Sequence, residues 1–298
     1  MSEYKLTVFT PTYNRAYSLP RLYNSLLGQC HSRDFEWLII DDASTDETPE
    51  LVKKWIDTGN IDINYIRLEK NGGKPRAINE AVKKAKSQFL FIVDSDDYLA
   101  DGTISFILDK IGPILHKNDI LGIGMLQGTK DGIPFKKPKF TGYVDATNLQ
   151  RNEYGIDIDC NEVYKASILR NYTFEVWPGE NFTPEETVLN AMALDGYKIR
   201  WYARVGVISE YQSDGLTKGS WNLQKRNPMG YAILYNSKLR YQRGFLLRFK
   251  SAAQMVAQVL LGGSLSYLKR SNDHFITTIA FPYGFAIYLR RLWQYRSR

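Results

Sequence analysis

Phe89-Leu90-Phe91-Ile92-Val93-Asp94-Ser95-Asp96-Asp97 is the stretch on which the reading of this chain turns. Five apolar residues read as a buried strand, and three carboxylates follow at its end. Carboxylates this close repel one another unless something positive lies among them, and Mg²⁺ or Mn²⁺ carried with a diphosphate is the commonest answer. Aspartate is also favoured in turns and caps, and Asp101-Gly102 follows closely, so the cluster alone admits both readings.

The surroundings supply a fold. Leu6-Thr7-Val8-Phe9, Trp37-Leu38-Ile39-Ile40 and Ile63-Asn64-Tyr65-Ile66 are further strand-like runs. Between them lie helical stripes: Leu19, Leu22, Leu26 and Leu27 after a capping Ser18; Leu51, Val52, Trp55 and Ile56; and Ile78, Ala81 and Val82 in a helix from Lys74 to Lys86. Ile104, Ile107, Leu108 and Ile111 give one more. Strand and helix in alternation predict an α/β fold, a mostly parallel sheet with helices on both faces. Ligands of such sheets bind beyond the carboxyl ends of the strands, so polar clusters after successive strands converge on one crevice.

From Asn118 the pattern is mixed, with strands predicted at 120–124 and 199–202 and a helix from Pro184 to Leu194. Beyond Lys218 it becomes basic and helical. The expected organisation is an α/β domain over 1–217, in one half to about 117 and a second from 118, followed by a basic helical region over 218–298.

A chain of 298 residues with ordinary apolar and charged fractions can bury a full core. Met1-Ser2-Glu3-Tyr4-Lys5 carries no basic-then-apolar leader pattern, so a cytoplasmic protein is expected. Cys30 and Cys160 are far apart and lack paired partners, which argues for small core residues rather than a disulfide framework or a zinc site. His31, His116 and His274 are isolated and suggest no ligand set. The net charge of +7 is uneven: from Lys218 on, 14 Lys and Arg face a single acid, Asp273. Such a tail is expected to meet an anionic surface.

Four motifs stand at the predicted strand ends. They are Thr10-Pro11-Thr12-Tyr13-Asn14-Arg15, Asp41-Asp42-Ala43-Ser44-Thr45-Asp46, Asn71-Gly72-Gly73-Lys74-Pro75-Arg76 and Asp94-Ser95-Asp96-Asp97. In this order they resemble the nucleotide-binding half of the family-2 glycosyltransferases of GT-A fold, bacterial capsule and cell-surface polysaccharide type, over roughly residues 4–217.

The resemblance implies a catalytic domain over 1–217, with a nucleotide-sugar half to about 117 and an acceptor half from 118, and a nucleoside-diphosphate sugar as donor, with uridine the expected nucleoside. Asp42 would accept the imide N–H of the base, and Pro11 and Tyr13 would give it a surface. Arg15, Asn71 and Ser95 belong to the same nucleotide-binding motifs. Lys74 and Arg76 would reach phosphate or base, while Gly72 and Gly73 allow close backbone approach. Asp94 and Asp96 would take the ribose and the divalent cation, Mn²⁺ or Mg²⁺, with Asp97 a neighbouring or alternative ligand.

Inverting transfer needs a general base for the acceptor hydroxyl. The family takes it from an acidic pair opening a later helix, and Thr183-Pro184-Glu185-Glu186-Thr187 matches that place, with Glu186 or Glu185 as the base. Acids also decorate helix N-termini through the macrodipole. Glu210 to Thr217 resembles a segment that closes the active site in related transferases, and Asp214-Gly215 within it is equally a turn signal. Trp177, Trp201 and Tyr202 read as sugar-stacking residues or as core.

The implied activity is metal-dependent, inverting transfer of a sugar to a hydroxyl of a lipid-linked glycan. Two other readings stand beside it. A sugar-phosphate nucleotidyltransferase would want a Gly-rich, Arg-containing loop after the first strand, which Thr10 to Arg15 is not. A membrane-bound glycan-binding subunit without activity has no need of intact acid motifs.

In the tail, Leu246 to Leu260 form an apolar stripe, and Phe275 to Leu289 form an apolar stretch interrupted by Pro282 and Gly284. The latter is short for a membrane span and fits an interfacial helix at the inner face of the cell membrane. Packing on the catalytic domain or a homo-oligomer interface is the other reading. Nucleic acid is not expected, since no recognition motif accompanies the charge.

Overall fold

The computed structural model describes residues 4–29, 34–210 and 220–296, and the chain divides into two compact units. The first spans 1–173 and 195–212; the second spans 174–194 and 213–298. Cys30, His31 and most of the Glu210 to Thr217 segment lie outside the described residues.

The first unit is the α/β body. Its elements are β1 (Leu6–Thr12), α1 (Leu19–Leu27), β2 (Phe35–Asp41), α2 (Thr48–Thr58), β3 (Ile63–Arg67), α3 (Lys74–Lys84), β4 (Phe89–Ile92), β5 (Asp97–Leu99), α4 (Thr103–Ile111), β6 (Ile120–Gly128), β7 (Tyr143–Ala146), β8 (Cys160–Lys165), α5 (Ala166–Leu169) and β9 (Lys198–Ser209). The strands form one sheet in the order β3-β2-β1-β4-β8-β6-β9-β5, with β7 also on β9. The first four strands are mutually parallel, as the alternation predicts, while β8 runs antiparallel to both β4 and β6.

Alternate strand residues serve opposite faces. Leu6, Val8, Trp37, Ile39, Phe89 and Phe91 join buried residues of α1, α2 and α4 in one core. Phe9, Leu38, Ile40 and Leu90 are buried on the other face, where α3 packs on β1 and β2 through its own buried Ala77, Ile78 and Ala81.

Some local expectations fail. Ser18 does not cap α1: its backbone is already in the helical region, and its hydroxyl donates back to the Arg15 carbonyl at 3.4 Å. Leu27 and Ile56, each one place beyond the last buried position of its helix, are exposed.

The second unit is helical: α6 (Glu186–Leu194), α7 (Ser220–Arg226), α8 (Pro228–Tyr241), α9 (Phe245–Leu261) and α10 (His274–Arg296). Its core joins Met229, Ala232, Ala252, Met255, Ile276 and Ala280, among others. The segment 174–194, expected in the acceptor half, groups here because its polar residues are committed to these helices. The Glu180 carboxylate accepts the N–H groups of Met229 (2.7 Å) and Gly230 (2.8 Å) at the start of α8. Glu175 pairs with Arg270 at 2.7 Å, and the Asn181 N–H donates to the Asn227 side chain at 2.9 Å. The boundary expected near Lys218 falls among residues outside those described.

The interruption expected at Pro282 and Gly284 does not occur, and α10 is continuous through both. Proline removes one helical hydrogen bond without ending the helix. Gly284 is a packing contact: a Cβ there would lie 2.7 Å from the Ala253 carbonyl oxygen and the Val256 Cβ on α9. Among the described residues, no helix is long and apolar enough to cross a membrane.

Candidate active site

The carboxyl ends of β1 and β2 lie side by side, with Thr12 paired to Asp41, and the loops leaving them are stitched together. The Asn14 side-chain oxygen accepts the Thr45 N–H at 2.7 Å, and the Asn14 N–H donates to the Ser44 hydroxyl at 2.9 Å. Arg15 N–H reaches the Thr48 hydroxyl at 3.1 Å, and Ala16 N–H reaches Asp46 at 3.1 Å. Asn14 (φ 52°) and Ala43 (φ 67°) are the non-glycine residues with left-handed backbone among those described, one in each loop. Strain of this kind persists where surrounding contacts over-determine it, and it clusters at functional sites.

Asp42 is buried at the head of the second loop. Its carboxylate accepts the Gly72 N–H at 2.9 and 3.0 Å and the Gly73 N–H at 2.6 Å, tying this loop to the one that opens α3. Gly73 has φ 82°, a conformation that a side chain would resist. Its neighbour Asp41 is wholly internal, accepting the Ser44 N–H at 2.8 Å and the Tyr65 hydroxyl. Burial, then Asp41, raises the Tyr65 hydroxyl pKa well above the usual phenol range.

At the start of α3, Lys74 Nζ lies 2.7 and 2.9 Å from the two oxygens of Asp94. Helix N-termini favour anions, and the lysine adds a full charge to that field. Arg76 instead donates to the Lys70 carbonyl at 2.9 Å.

The acidic stretch satisfies both of its readings. Asp94 to Asp97 is a turn, closed by the Asp97 N–H on the Asp94 carbonyl at 3.1 Å, and it still presents acids at a strand end. The three acids differ in environment. Asp94 is half-buried on Lys74, and Asp96 is half-buried with no hydrogen bond to its carboxylate among the described residues. Asp97, expected as a neighbouring or alternative cation ligand, is buried and accepts the Gln127 side-chain amide at 2.9 Å. Burial, followed by the charges of Asp94 and Asp96, pushes its carboxyl pKa up to about 7.

Among the described residues, no set of three or more His, Cys, Asp or Glu side chains gathers around a cation position. Mg²⁺-type sites commonly use one or two carboxylates and complete their shell with substrate phosphate oxygens. The half-buried, unbonded carboxylate of Asp96 beside Asp94 fits that arrangement.

Of the other expected residues, Tyr13 is 44% exposed, so its ring offers a surface, whereas Pro11 is buried within β1 opposite Ile40 and offers none. Arg15 holds its guanidinium over the Tyr17 ring. Asn71 is exposed and Ser95 is buried. Trp201 and Tyr202 are core, and Trp177 packs edge-on against Tyr267. Cys160, expected in the core, is only half-buried at the start of β8; desolvation raises its thiol to about 12, in keeping with an inert residue.

Arg21 carries no sequence signal. From α1 it donates to the Asp96 carbonyl at 3.1 Å, pairs with Glu210 at 2.5 Å, and lies over the Tyr98 ring. Tyr98 donates to the other Glu210 oxygen at 3.0 Å.

The acidic pair belongs to the second unit. Glu186 opens α6, and its Oε1 accepts the Asn190 side-chain N–H (3.2 Å) and the Tyr241 hydroxyl (3.1 Å), with Lys238 Nζ at 3.6 Å. Burial, then Glu186, raises the Tyr241 hydroxyl pKa beyond the usual range, so it stays a donor. Oε2 of Glu186 has no hydrogen bond among the described residues. The Glu185 carbonyl accepts the first helical N–H groups, from Val188 and Leu189.

Comparison with known proteins gives the arrangement its context. The model of glycosyl transferase family 2 matches residues 7–173. The poly(ribitol-phosphate) beta-N-acetylglucosaminyltransferase TarS of Staphylococcus aureus is 30% identical over 169 residues, 56% of this chain and 28% of TarS. TarP of the same species, also a poly(ribitol-phosphate) beta-N-acetylglucosaminyltransferase, is 29% identical over 174 residues, 55% of this chain and 50% of TarP. The match thus spans half or less of these curated relatives.

Among solved structures, S. aureus TarS 1-349 in complex with UDP-GlcNAc superimposes with a TM-score of 0.56 at 18% identity, covering 96% of this chain and 92% of that one. The mannosyltransferase PcManGT of Pyrobaculum calidifontis, in complex with GDP-Man and Mn²⁺, gives 0.54 at 16% identity, with 97% and 87% covered. These likenesses agree on the GT-A fold. With the family model matching more than half of its length and four of the family's motifs at its strand ends, the chain belongs to glycosyl transferase family 2.

Proposed function

We propose that this enzyme transfers a sugar from a uridine-diphosphate donor to a hydroxyl of a lipid-linked cell-surface glycan, with inversion at the anomeric carbon and with a divalent cation. The observation that carries the reading is the tying of the loops after β2 and β3 through one buried acid, Asp42, with the loop after β1 stitched to the second by Asn14, beside the Lys74–Asp94 pair. The names of the TarS and TarP relatives and the UDP-GlcNAc complex of TarS support a uridine donor and a cell-surface acceptor.

In this reading Asp42 accepts the base imide N–H with a lone pair that its glycine contacts leave over, and the exposed Tyr13 ring packs on the base. Lys74 and the α3 N-terminus hold the diphosphate. Asp94 and Asp96 hold Mn²⁺ or Mg²⁺, which when bound neutralises charge on the leaving diphosphate. The acceptor oxygen bonds to the anomeric carbon as the bond from that carbon to the diphosphate oxygen breaks. The acceptor proton passes to a carboxylate of the acidic pair. Glu186 is favoured over Glu185 because Tyr241 and Asn190 fix one of its oxygens and leave the other to accept.

Calorimetric titration of UDP-GlcNAc, UDP-glucose and GDP-mannose with Mn²⁺, paired with assays of UDP release, tests the proposal. Binding of uridine donors and slow release of UDP are expected. Failure of every nucleotide sugar to bind, or pyrophosphate release from UTP and a sugar 1-phosphate, would sink it.

A further inference from the structure

Helix α10 is apolar on two opposite faces. One face is accounted for: Ile276, Ala280 and Gly284 are buried in the helical core, and Arg291 donates to Gln254 of α9 at 2.7 Å. The other carries Phe275, Ile279, Pro282, Ala286, Leu289 and Trp293, spaced four and three residues apart, so that they form one stripe. All six are exposed, Phe275 at 72% and Trp293 at 71%.

The stripe does not stand alone. At the start of α9, Phe245, Leu246 and Leu247 are exposed together. Phe245 stacks on Phe249 with centroids 5.9 Å apart, and Phe249 meets Tyr283 of α10 at 5.8 Å, so aromatic surface runs on from one helix to the other. Contiguous apolar surface of this kind marks a contact site.

The charge around it selects the occupant. Lys250 of α9 and Arg290 of α10 are exposed, as are Arg243 just before α9 and Lys269 between the two helices. The one acid beyond Lys218, Asp273, is neutralised, with one oxygen 2.5 Å from Arg248 and the other accepting the Ile276 N–H at 3.0 Å. A second copy would bring like charges together around the apolar stripe, and a span is unavailable to a helix of this composition. An anionic bilayer accepts both the apolar residues and the positive rim.

We propose that the outward face of α10, with the N-terminal turn of α9, seats in the interface of an anionic phospholipid membrane, α10 lying along the surface. The cytoplasmic leaflet is the surface of this charge. The inference holds whichever sugar the enzyme transfers.

Co-sedimentation of the full chain with vesicles of phosphatidylcholine alone, or of phosphatidylcholine with phosphatidylglycerol, tests it. Binding to the anionic vesicles that weakens in high salt is expected. The pair F275E and W293E should abolish binding, with melting temperature and donor hydrolysis in solution unchanged. The pair K250Q and R290Q, which alters no apolar packing and guards against a folding defect in the first, should weaken it on the order of 25-fold. Equal binding to both vesicle types, no binding, or undiminished binding by both variants overturns the proposal. So does a dimer by light scattering that F275E and W293E dissociate, which would assign the face to a second copy.

Discussion

The two units of this protein handle charge in opposite ways. In the sheet unit, carboxylates are gathered at strand ends, and each is distinguished by what it touches: Asp41 is locked internally, Asp42 holds glycine N–H groups, Asp94 holds a lysine, and Asp96 has no hydrogen bond to its carboxylate among the described residues. In the helical unit, positive charge is spread over the surface beside exposed aromatic residues, and the single late acid is paired away. The contrast matches the two proposals: like charges concentrated suit a grip on a small cation and phosphates, and charge dispersed beside aromatic residues suits contact with a broad anionic surface. The acidic pair Glu185-Glu186 is the exception, a concentrated acid site carried by the helical unit.

The sharpest break would come at the sheet unit's unbonded acid. Asp96→Asn is expected to lower transfer by at least about 10²-fold while leaving the melting temperature within a few degrees, because the carboxylate supports no packing. Unaltered turnover with Mn²⁺ would remove the concentrated-charge half of the comparison. Next is the acid of the helical unit. Glu186→Gln should lower kcat by roughly 10²- to 10⁴-fold with donor binding intact, and Glu185→Gln should cost far less. Tyr241→Phe should lower kcat about tenfold and shift the acid limb of the pH–rate profile, since one of the donors fixing Glu186 is lost; the reverse ranking of Glu185 and Glu186 would move the base.

A smaller effect is expected in the helical core. Gly284→Val should destabilise the protein by about 1–3 kcal/mol through overpacking against α9, measured by urea unfolding, with UDP-sugar affinity unchanged. The mildest test concerns Asp97. Its carboxyl pKa is raised in the folded chain to about 7, so the folded state holds a proton that the unfolded state has released above about pH 4. That contribution is present at low pH and is lost as pH rises through about 7. Urea midpoints without metal or nucleotide should therefore fall between pH 5 and pH 8, and Asp97→Asn should flatten the fall.

The four parallel strands and the loops that leave them were legible because β-rich runs, helical stripes and acid clusters are local signals, whereas β5, β7 and β8 went unread. Asp42, Lys74 and Asp94 were singled out by the order of four motifs that resembles the family's, not by local signals alone. What each acid touches was not legible: the contacts of Asp42 with Gly72 and Gly73 span thirty residues, and the burial of Asp97 and Pro11 depends on strands that pair much later or elsewhere. Arg21 and Tyr241 escaped notice because an arginine or tyrosine on a helix reads as surface until its partner is known. The continuity of α10 was hidden for a related reason. Pro282 signals a break, and only the packing of Gly284 against Ala253 and Val256 overrides it. The membership of residues 174–194 in the helical unit rests on Glu175, Glu180 and Asn181, each bonded to a residue at least forty-six positions away.

Ala43 sits in left-handed backbone between Asp42 and Ser44, where an L side chain costs roughly 1–2 kcal/mol. Glycine would relieve that strain but return about 0.4–1 kcal/mol through a freer unfolded chain. The first term is the larger, so glycine is neutral to mildly stabilising there; asparagine and aspartate also visit this region readily, and branched residues are worst. In terms of mutational tolerance, the loop that grips the glycines therefore has few exits at this position, toward glycine, asparagine and aspartate, and a saturation library should recover those and exclude branched residues.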